Sequence, residues 1–233
     1  MTASDTDRSA TKPAITARRV GKEAQPVVVV DGFHPDPDSL RAAASSANFT
    51  AAQRHYPGIR APLPVTYFSA VRATLTLILR EAFGATGAID LIDASFSIVT
   101  TPSADLTLSQ RLPHVDAVEL SRIALVHYLS PDDRAGTAFF RHRGTGFELI
   151  DGDRSGRYHQ ALNRELAQDP EPAGYIGEVD PRFERTACIE ARYNRAVIYR
   201  SAMLHTGAIP PAASLSADPQ TGRLTITAFL LAR

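Results

Sequence analysis

The hydrophobic pattern divides the chain into a first part with helices and a second part with many short strands. Residues 27–30 are four consecutive valines, which is typical of a strand that is covered on both faces. Helix-starting residues at 35–39 precede a predicted Ala-rich helix at 40–47. The clearest helix is predicted at 71–83, because apolar residues recur there every four positions and Gly84 follows.

Beyond Gly87 the pattern changes to short apolar or alternating segments that are separated by turn residues. A short helix is predicted at 158–166, inside a polar insertion that runs from residue 151 to about residue 180. Helices at one end and strands at the other are typical of a β-sandwich or a jelly roll flanked by helices. The predicted strands are residues 95–99, 123–129, 137–140, 196–199 and 224–230.

Two segments carry no regular pattern. Residues 1–25 are rich in Ser, Thr, Ala and charge, so we expect a disordered N-terminal arm and not a secretory signal. Three prolines and a glycine within residues 56–64 predict a stiff surface loop. Residues 26–233 are expected to form a single domain, with helical support at 33–90 and a β-rich core at 95–233.

Composition narrows the classes of protein that the chain can belong to. Among 233 residues, 25 Lys plus Arg balance 25 Asp plus Glu, so no global field favours nucleic acid or an acidic membrane surface. The single cysteine, Cys188, excludes an intramolecular disulfide and is expected to be structural. No apolar run reaches the ~20 residues of a membrane span. We therefore expect a cytoplasmic protein with no nucleic-acid partner and no membrane contact.

Candidate metal ligands lie in the middle and in the last third of the chain. His114 and Asp116 are two positions apart, so on a strand or strand end their side chains point the same way. A second imidazole, at His205, would complete the set of two His and one carboxylate that binds non-haem Fe(II) and leaves open positions. Each residue alone also has an ordinary structural interpretation, because such short patterns arise by chance.

A candidate anion anchor occurs near the C-terminus. Arg223 and Thr225 share one face of a predicted strand whose other face carries Leu224 and Ile226. A guanidinium on a mostly apolar strand needs an anionic partner, and the planar carboxylate of a small diacid would match its fork. A salt bridge to an internal Asp or Glu is the alternative.

Five stretches follow one another in a recognisable order, at residues 114–116, 126–130, 136–140, 194–205 and 223–227. In this order they resemble the Fe(II)/2-oxoglutarate-dependent dioxygenase superfamily, and most of all its prolyl-hydroxylase-like branch. The resemblance covers about residues 96–231. Within that superfamily the chain also looks like an uncharacterised bacterial family of oxygenases, through the stretches at residues 56–60 and 141–148.

The resemblance implies an α+β fold, namely a double-stranded β-helix (jelly roll) with N-terminal helices packed on the outer sheet. It implies that His114, Asp116 and His205 hold Fe(II), with no catalytic residue beyond these ligands. It further implies 2-oxoglutarate as co-substrate, held by Arg223 with Tyr128 and Thr225 as additional contacts. The expected reaction is hydroxylation of a substrate with release of succinate and CO2.

Two departures from the family pattern bear on these assignments. Arg223 follows His205 by 18 positions, a longer interval than is usual, so residues 209–219 must form a loop that absorbs the excess. In addition, basic groups at Arg141 and His142 stand where relatives often carry apolar or acidic residues. The substrate pocket is therefore expected to be unusual.

Expected substrate contacts are Arg141 and His142, together with Tyr56 and Arg60, which a stiff loop could hold over a cavity mouth. A structural hydrogen bond for His142 and a plain surface role for the loop residues are the alternatives. The substrate is expected to be a small molecule or a peptide, and the sequence determines neither its identity nor the oligomeric state.

Two other functions stay open on the sequence alone. One is a cupin-like metalloenzyme that uses the same site without 2-oxoglutarate. The other is a non-catalytic jelly-roll binding module, which predicts that the three ligand side chains lie more than about 6 Å apart, beyond the reach of one ion.

Overall fold

A computed structural model describes residues 12–52, 56–131, 135–169, 172, 174–177, 180–210, 213 and 215–233. Within these ranges no helix is long and apolar enough to cross a membrane. The helices are α1 (Pro37–Ser45), α2 (Tyr67–Phe83), α3 (Leu108–Arg111) and α4 (Gly152–Gln168), with a 3-10 turn at Ser103–Asp105. The strands are β1 (Ala14–Val20), β2 (Gln25–Asp31), β3 (Thr50–Ala51), β4 (Gly58–Ala61), β5 (Ile89–Val99), β6 (Arg122–Tyr128), β7 (Gly136–His142), β8 (Phe183–Ile189), β9 (Arg195–Arg200), β10 (His205–Ala208) and β11 (Leu224–Ala232).

The described strands form two antiparallel sheets. The larger sheet has the order β1-β2-β9-β6-β11-β5-β4-β3, and the smaller sheet has the order β10-β7-β8. Strands that are distant in sequence lie side by side, so each sheet draws on separate parts of the chain. The result is a mostly antiparallel, jelly-roll-like fold.

Strict alternation of side chains gives the larger sheet two different faces. On β6, Ile123 and Leu125 belong to the hydrophobic cluster that includes residues of α1 and α2. Ala124 and Tyr128 belong to the opposite cluster, which also contains Phe139 of the smaller sheet. The helices of the first part therefore pack on one face, and the smaller sheet covers the other.

The outer side of the smaller sheet is covered by α4. This helix begins at Asp151, whose carboxylate accepts a hydrogen bond from the Arg154 backbone N–H at 3.0 Å and so satisfies one of the free donors of the first turn. Tyr158 and Leu162 of α4 are buried in one cluster with Phe140. The two sheets are thus enclosed by helices on both sides.

The main elements predicted from periodicity are confirmed. The helix predicted at 71–83 extends back to Tyr67 and ends at Phe83. Gly84 has a φ of 75°, and its backbone N–H donates to the Arg80 carbonyl. Glycine adopts this left-handed conformation at little cost, which explains why the helix stops there.

The N-terminal arm predicted at 1–25 is not observed for residues 14–25. Strand β1 pairs with β2 along its whole length, from Ala14 opposite Asp31 to Val20 opposite Gln25. It lies at the edge of the sheet, and six of its seven residues are exposed, so it lacks the apolar alternation that would have predicted a strand. Residues 1–11 of the predicted arm lie outside the described residues.

The Pro-rich loop predicted at 56–64 contains the short strand β4. Pro57 and Pro62 flank this strand and none of the prolines lies within it, so its backbone N–H groups remain available for pairing. β4 pairs with β5 on one side and β3 on the other. The prediction of an irregular loop was wrong at this point, and the strand aligns Arg60 with Ser97 of β5.

A buried polar network links the larger sheet to the helices. The Tyr67 hydroxyl lies 3.2 Å from Nδ1 of His127, and Nε2 of His127 lies 3.0 Å from the Asn194 side-chain oxygen. Burial lowers the pKa of His127 to about 3, so its imidazole stays neutral in the folded protein at neutral pH.

We expect His127 to make stability depend on pH. The folded pKa is depressed below the ordinary His value of about 6.5, so this contribution is complete above pH 6.5 and is lost as pH falls toward 3. Urea unfolding should show that the stability advantage of the wild type over His127→Gln shrinks by about 2 kcal/mol between pH 7 and pH 5. An advantage that is constant over this interval would contradict the assignment.

Candidate metal centre

A reciprocal pair of backbone hydrogen bonds brings together the two histidines of the site. The backbone N–H of His114 donates to the His205 carbonyl, and the N–H of His205 donates to the His114 carbonyl, both at 3.0 Å. Residues directly opposite each other in an antiparallel pair project their side chains to the same face. The two imidazole rings accordingly lie with centroids 4.6 Å apart.

The carboxylate is placed by a second backbone contact. The Asp116 N–H donates to the Ser201 carbonyl at 2.9 Å, which holds the segment after His114 against the chain before β10. Asp116 Oδ2 lies 3.3 Å from His205 Nε2, and Oδ1 lies 3.8 Å from His114 Nε2. One ligand atom from each of the three residues lies within 4.8 Å of the others.

The protonation of His205 fits a cation at this position. Its Nδ1 lies 2.9 Å from the Met203 carbonyl oxygen, which only accepts, so Nδ1 carries the proton. If the ring is neutral, Nε2 carries a lone pair, and this nitrogen lies 3.3 Å from Oδ2 of Asp116. A positive charge between Nε2 and the carboxylate would satisfy both atoms, and either a proton or a divalent ion could supply it.

The donor set and its exposure also fit Fe(II). Two imidazole nitrogens and one carboxylate oxygen on one side of an ion leave its other positions open. The His205 side chain is 7% exposed, whereas those of Asp116 and His114 are 20% and 41% exposed. The cluster is therefore anchored in the protein on one side and accessible on the other.

The three side chains line a cavity of about 120 Å³ between the two sheets. A single water requires about 10–15 Å³, so this cavity is large enough for several atoms of a ligand. Its walls also include Val99, Ala124, Val126, Thr137, Tyr199, Thr206, Ile209, Arg223, Thr225, Thr227 and Phe229.

Arg223 reaches this cavity despite the long interval after His205. The Ser130 hydroxyl bonds the residues on both sides of Arg223, since it donates to the Gly222 carbonyl at 3.0 Å and accepts from the Leu224 N–H at 2.7 Å. The chain before Arg223 turns tightly, and a Cβ on Gly222 would lie 2.2 Å from the Ser216 carbonyl oxygen. Only glycine allows the two backbone segments to come this close. The turn therefore determines where the Arg223 guanidinium enters the cavity.

The Arg223 guanidinium has no carboxylate partner among the described residues. Its Nη2 donates to the Gly136 carbonyl at 3.1 Å, and its central carbon lies 5.7 Å from the centroid of the Tyr128 ring. Its Nε is buried without a hydrogen-bond partner in the described part of the chain. An internal salt bridge, the alternative for this residue, is therefore not observed with any acidic residue that the structure describes.

Tyr128 and Thr225 lie next to Arg223. The Tyr128 hydroxyl is 2.6 Å from the hydroxyl of Thr137, which lines the cavity, whereas Tyr128 itself is almost fully buried behind it. Thr225 lines the cavity and donates to the Ser97 carbonyl at 3.2 Å. Burial raises the pKa of Tyr128, so its phenol stays protonated.

Tyr56 and Arg60 both line the cavity. The Arg60 guanidinium carbon lies 4.7 Å from the centre of the Tyr56 ring, within cation–π distance. Burial raises the pKa of the Tyr56 hydroxyl, and the positive charges of Arg223 and Arg60 partly oppose this rise.

Arg141 and His142 do not line the cavity. Arg141 pairs with Glu184 of the neighbouring strand β8. His142 is fully buried, with Nε2 2.9 Å from Glu165 Oε2 of α4 and Nδ1 2.9 Å from the Thr145 hydroxyl. The structure thus does not bring these two expected substrate contacts to the cavity, and both side chains contact acidic partners that are remote in sequence.

Tyr199 is a cavity residue that the sequence analysis did not select. Its ring packs against His205 with centroids 4.8 Å apart. Burial, reinforced by the negative charge of Asp116, raises the pKa of its hydroxyl well above 10. Side-chain alternation along β9 indicates that Tyr199 shares a face with Val197. The sequence does not reveal that this face meets the candidate metal centre.

Fold and site together define a class: an antiparallel, jelly-roll-like protein with a His-Asp-His cluster between its sheets. The profile of the family of unknown function DUF6445 matches residues 11–230, and the chain belongs to this family. A search of curated proteins finds no match to the sequence.

Solved structures with similar folds exist at low sequence identity. HygX from Streptomyces hygroscopicus, with nickel and 2-oxoglutarate bound, is 14% identical over 90% of this chain and 84% of its own, with a TM-score of 0.50. An N-substituted L-amino acid dioxygenase from Burkholderia ambifaria is 12% identical over 94% of each chain, with a TM-score of 0.42. The structural similarity to HygX supports the jelly-roll-like fold.

We expect metal binding to require the three clustered side chains. Asp116→Ala and His205→Ala should each weaken Ni(II) binding by about 100-fold or more, since even outer-shell partners are worth 10–100-fold. Isothermal titration calorimetry measures this directly. His159→Ala, which removes an exposed imidazole on α4, is the matched control and should bind like the wild type. Equal binding by all four proteins would refute the metal centre.

Proposed function

We propose that this protein is an Fe(II)- and 2-oxoglutarate-dependent oxygenase that hydroxylates its substrate and releases succinate and CO2. One observation carries the proposal. The ligand atoms of His114, Asp116 and His205 lie within 4.8 Å of one another in the cavity that also contains Arg223, whose guanidinium has no carboxylate partner within the described part of the chain.

The three ligands would hold the ion in a fixed orientation. His205 is positioned by its Nδ1–H bond to the Met203 carbonyl, and its backbone is paired with that of His114. Asp116 would neutralise one of the two positive charges of the ion. Bound iron together with 2-oxoglutarate would supply the oxidation of the substrate by dioxygen.

Arg223 would bind the carboxylate of 2-oxoglutarate that is remote from the metal. Its fork has donors in a geometry that matches a carboxylate, and an apolar surrounding strengthens such a bond. Thr225 would offer a hydroxyl on the same wall. Tyr128 would contribute indirectly to 2-oxoglutarate binding by orienting the Thr137 hydroxyl, with which its own hydroxyl forms a hydrogen bond.

Tyr199 would donate a hydrogen bond beside the metal. Burial raises the pKa of its hydroxyl, and a protonated hydroxyl at this position can act as a donor. Its packing against His205 also restricts the rotation of the imidazole.

Two further observations support the proposal over its alternatives. A non-catalytic binding module predicts dispersed ligands, whereas the three lie within 4.8 Å. HygX, which has a similar fold, is known with nickel and 2-oxoglutarate bound. A cupin-like enzyme that does not use 2-oxoglutarate is separated from the proposal by the experiment below.

The proposal is tested by binding and by turnover. Protein loaded with Fe(II) should bind 2-oxoglutarate in the absence of oxygen and should release labelled succinate when oxygen is admitted, slowly alone and faster with a substrate from a metabolite pool. Metal binding with no detectable affinity for 2-oxoglutarate would favour the cupin-like alternative. Protein with Asp116→Ala serves as the blank.

We expect Arg223→Gln to weaken 2-oxoglutarate binding by about 10- to 100-fold, the effect of losing a charge-assisted pair of hydrogen bonds. Affinity for Ni(II) alone should stay within twofold of the wild type, because Arg223 is not a ligand. Arg72→Gln removes the same charge from the exposed side of α2 and should leave both affinities unchanged. Unaltered 2-oxoglutarate affinity in Arg223→Gln would exclude it as the anchor.

A further inference from the structure

The charges that line the cavity do not balance once the proposed ligands are in place. Among the described residues, its charged lining side chains other than histidine are Arg60, Arg223 and Asp116. A divalent ion, two guanidinium groups and one carboxylate leave three positive charges. A dianionic co-substrate cancels two of them, so one positive charge stays uncompensated in a partly desolvated site, which is unfavourable.

Arg60 and Arg223 occupy separate positions on the sheet. Arg60 lies opposite Ser97, and Ser97 in turn lies opposite Thr225, two residues beyond Arg223. Neighbouring strands are ~4.8 Å apart, so the backbone of Arg60 lies about 10 Å from that of Thr225. Arg60 thus approaches the cavity from a different strand than Arg223, and its donors offer a second position for an anion.

The Arg60 guanidinium is held in place without being neutralised. It stacks on Tyr56 at 4.7 Å, and its Nε is buried with no hydrogen-bond partner in the described residues. Its ionic contact is Asp93, at 3.7 Å, and this carboxylate side chain is 57% exposed. A long contact to an exposed carboxylate is worth little, so Arg60 retains its capacity to bind an anion.

Apolar side chains in the cavity wall bear on the rest of the ligand. Val99, Val126, Ile209 and Phe229 are part of the lining, so the cavity offers contacts for an apolar part of the substrate. The single uncompensated charge matches a carboxylate, whereas a phosphate monoester brings about −1.5 to −2.

We propose that Arg60, braced by Tyr56, binds the carboxylate of the substrate, and that the substrate is an apolar small molecule bearing one carboxylate. This inference rests on the proposed function, since the charge count includes the metal and 2-oxoglutarate. It assigns Arg60 to substrate selection and Arg223 to the co-substrate.

The test compares acids with their neutral amides, which have nearly the same shape. Protein saturated with Ni(II) and 2-oxoglutarate is titrated with matched pairs from acetate and acetamide to hexanoate and hexanamide, and with 3-phenylpropionate and 3-phenylpropanamide. In the wild type at least one acid should bind about tenfold more tightly than its amide, because only the acid makes a charge-assisted pair with Arg60.

Variants assign this preference to the residue. Arg60→Gln should reduce the ratio between acid and amide to within about twofold, Arg60→Lys should keep part of it, and Arg72→Gln should keep all of it. Arg60→Gln should still bind 2-oxoglutarate, which shows that it is folded and that the two arginines act separately.

The outcomes separate the two proposals. If the wild type does not bind 2-oxoglutarate, the proposed function fails. If 2-oxoglutarate binds and no acid is preferred over its amide, or if the preference persists in Arg60→Gln, the assignment of Arg60 is wrong. Loss of 2-oxoglutarate binding in Arg60→Gln but not in Arg223→Gln would also overturn it, by making Arg60 the co-substrate anchor.

Discussion

The reciprocal backbone pairing of His114 with His205 is the constraint on which the candidate site depends. Two segments far apart in the chain exchange both hydrogen bonds at 3.0 Å, so the direction of both imidazoles is set by main-chain geometry. The bond from Asp116 to Ser201 then places the carboxylate against them. Backbone hydrogen bonds fix the main-chain positions of all three candidate ligands. Their side chains therefore start from defined positions, which reduces the conformational entropy lost when they converge on one ion.

The larger sheet separates stability from chemistry by using its two faces differently. Neighbours in sequence on β6 illustrate this: His127 points into the helix-covered core and joins a neutral hydrogen-bond network with Tyr67, whereas Tyr128 lies on the side of the smaller sheet. The core face is almost entirely apolar. The other face carries the hydroxyls and guanidinium groups of the cavity, and alternation along each strand keeps the two environments apart.

Unbalanced positive charge connects this architecture to ligand binding. Arg223 has no carboxylate partner among the described residues, and Arg60 has only a long contact to an exposed one. The buried Arg195, by contrast, is paired with Asp31 at 2.7 Å. Buried donors left unsatisfied carry a free-energy cost, which a bound ligand or water can relieve. Arg60 and Arg223 line the cavity, so they are the positions at which we propose that anions bind.

The sequence by itself determined much of the local structure and the candidate metal ligands. Apolar periodicity predicted α2 and most strands of the larger sheet, and the spacing of His114 and Asp116 placed both side chains on one side, because these are short-range consequences of backbone geometry. Tertiary structure decided the rest. The edge strand β1 forms a hairpin with the adjacent strand β2, but its exposed residues carry no apolar alternation. The short strand β4 depends on β5, which is remote in sequence, so neither strand leaves a clear local signal. In the same way, pairing with Glu184 and Glu165 removed Arg141 and His142 from the cavity, while sheet register brought Arg60 into it, since a charged side chain goes where a distant partner or an open space lies.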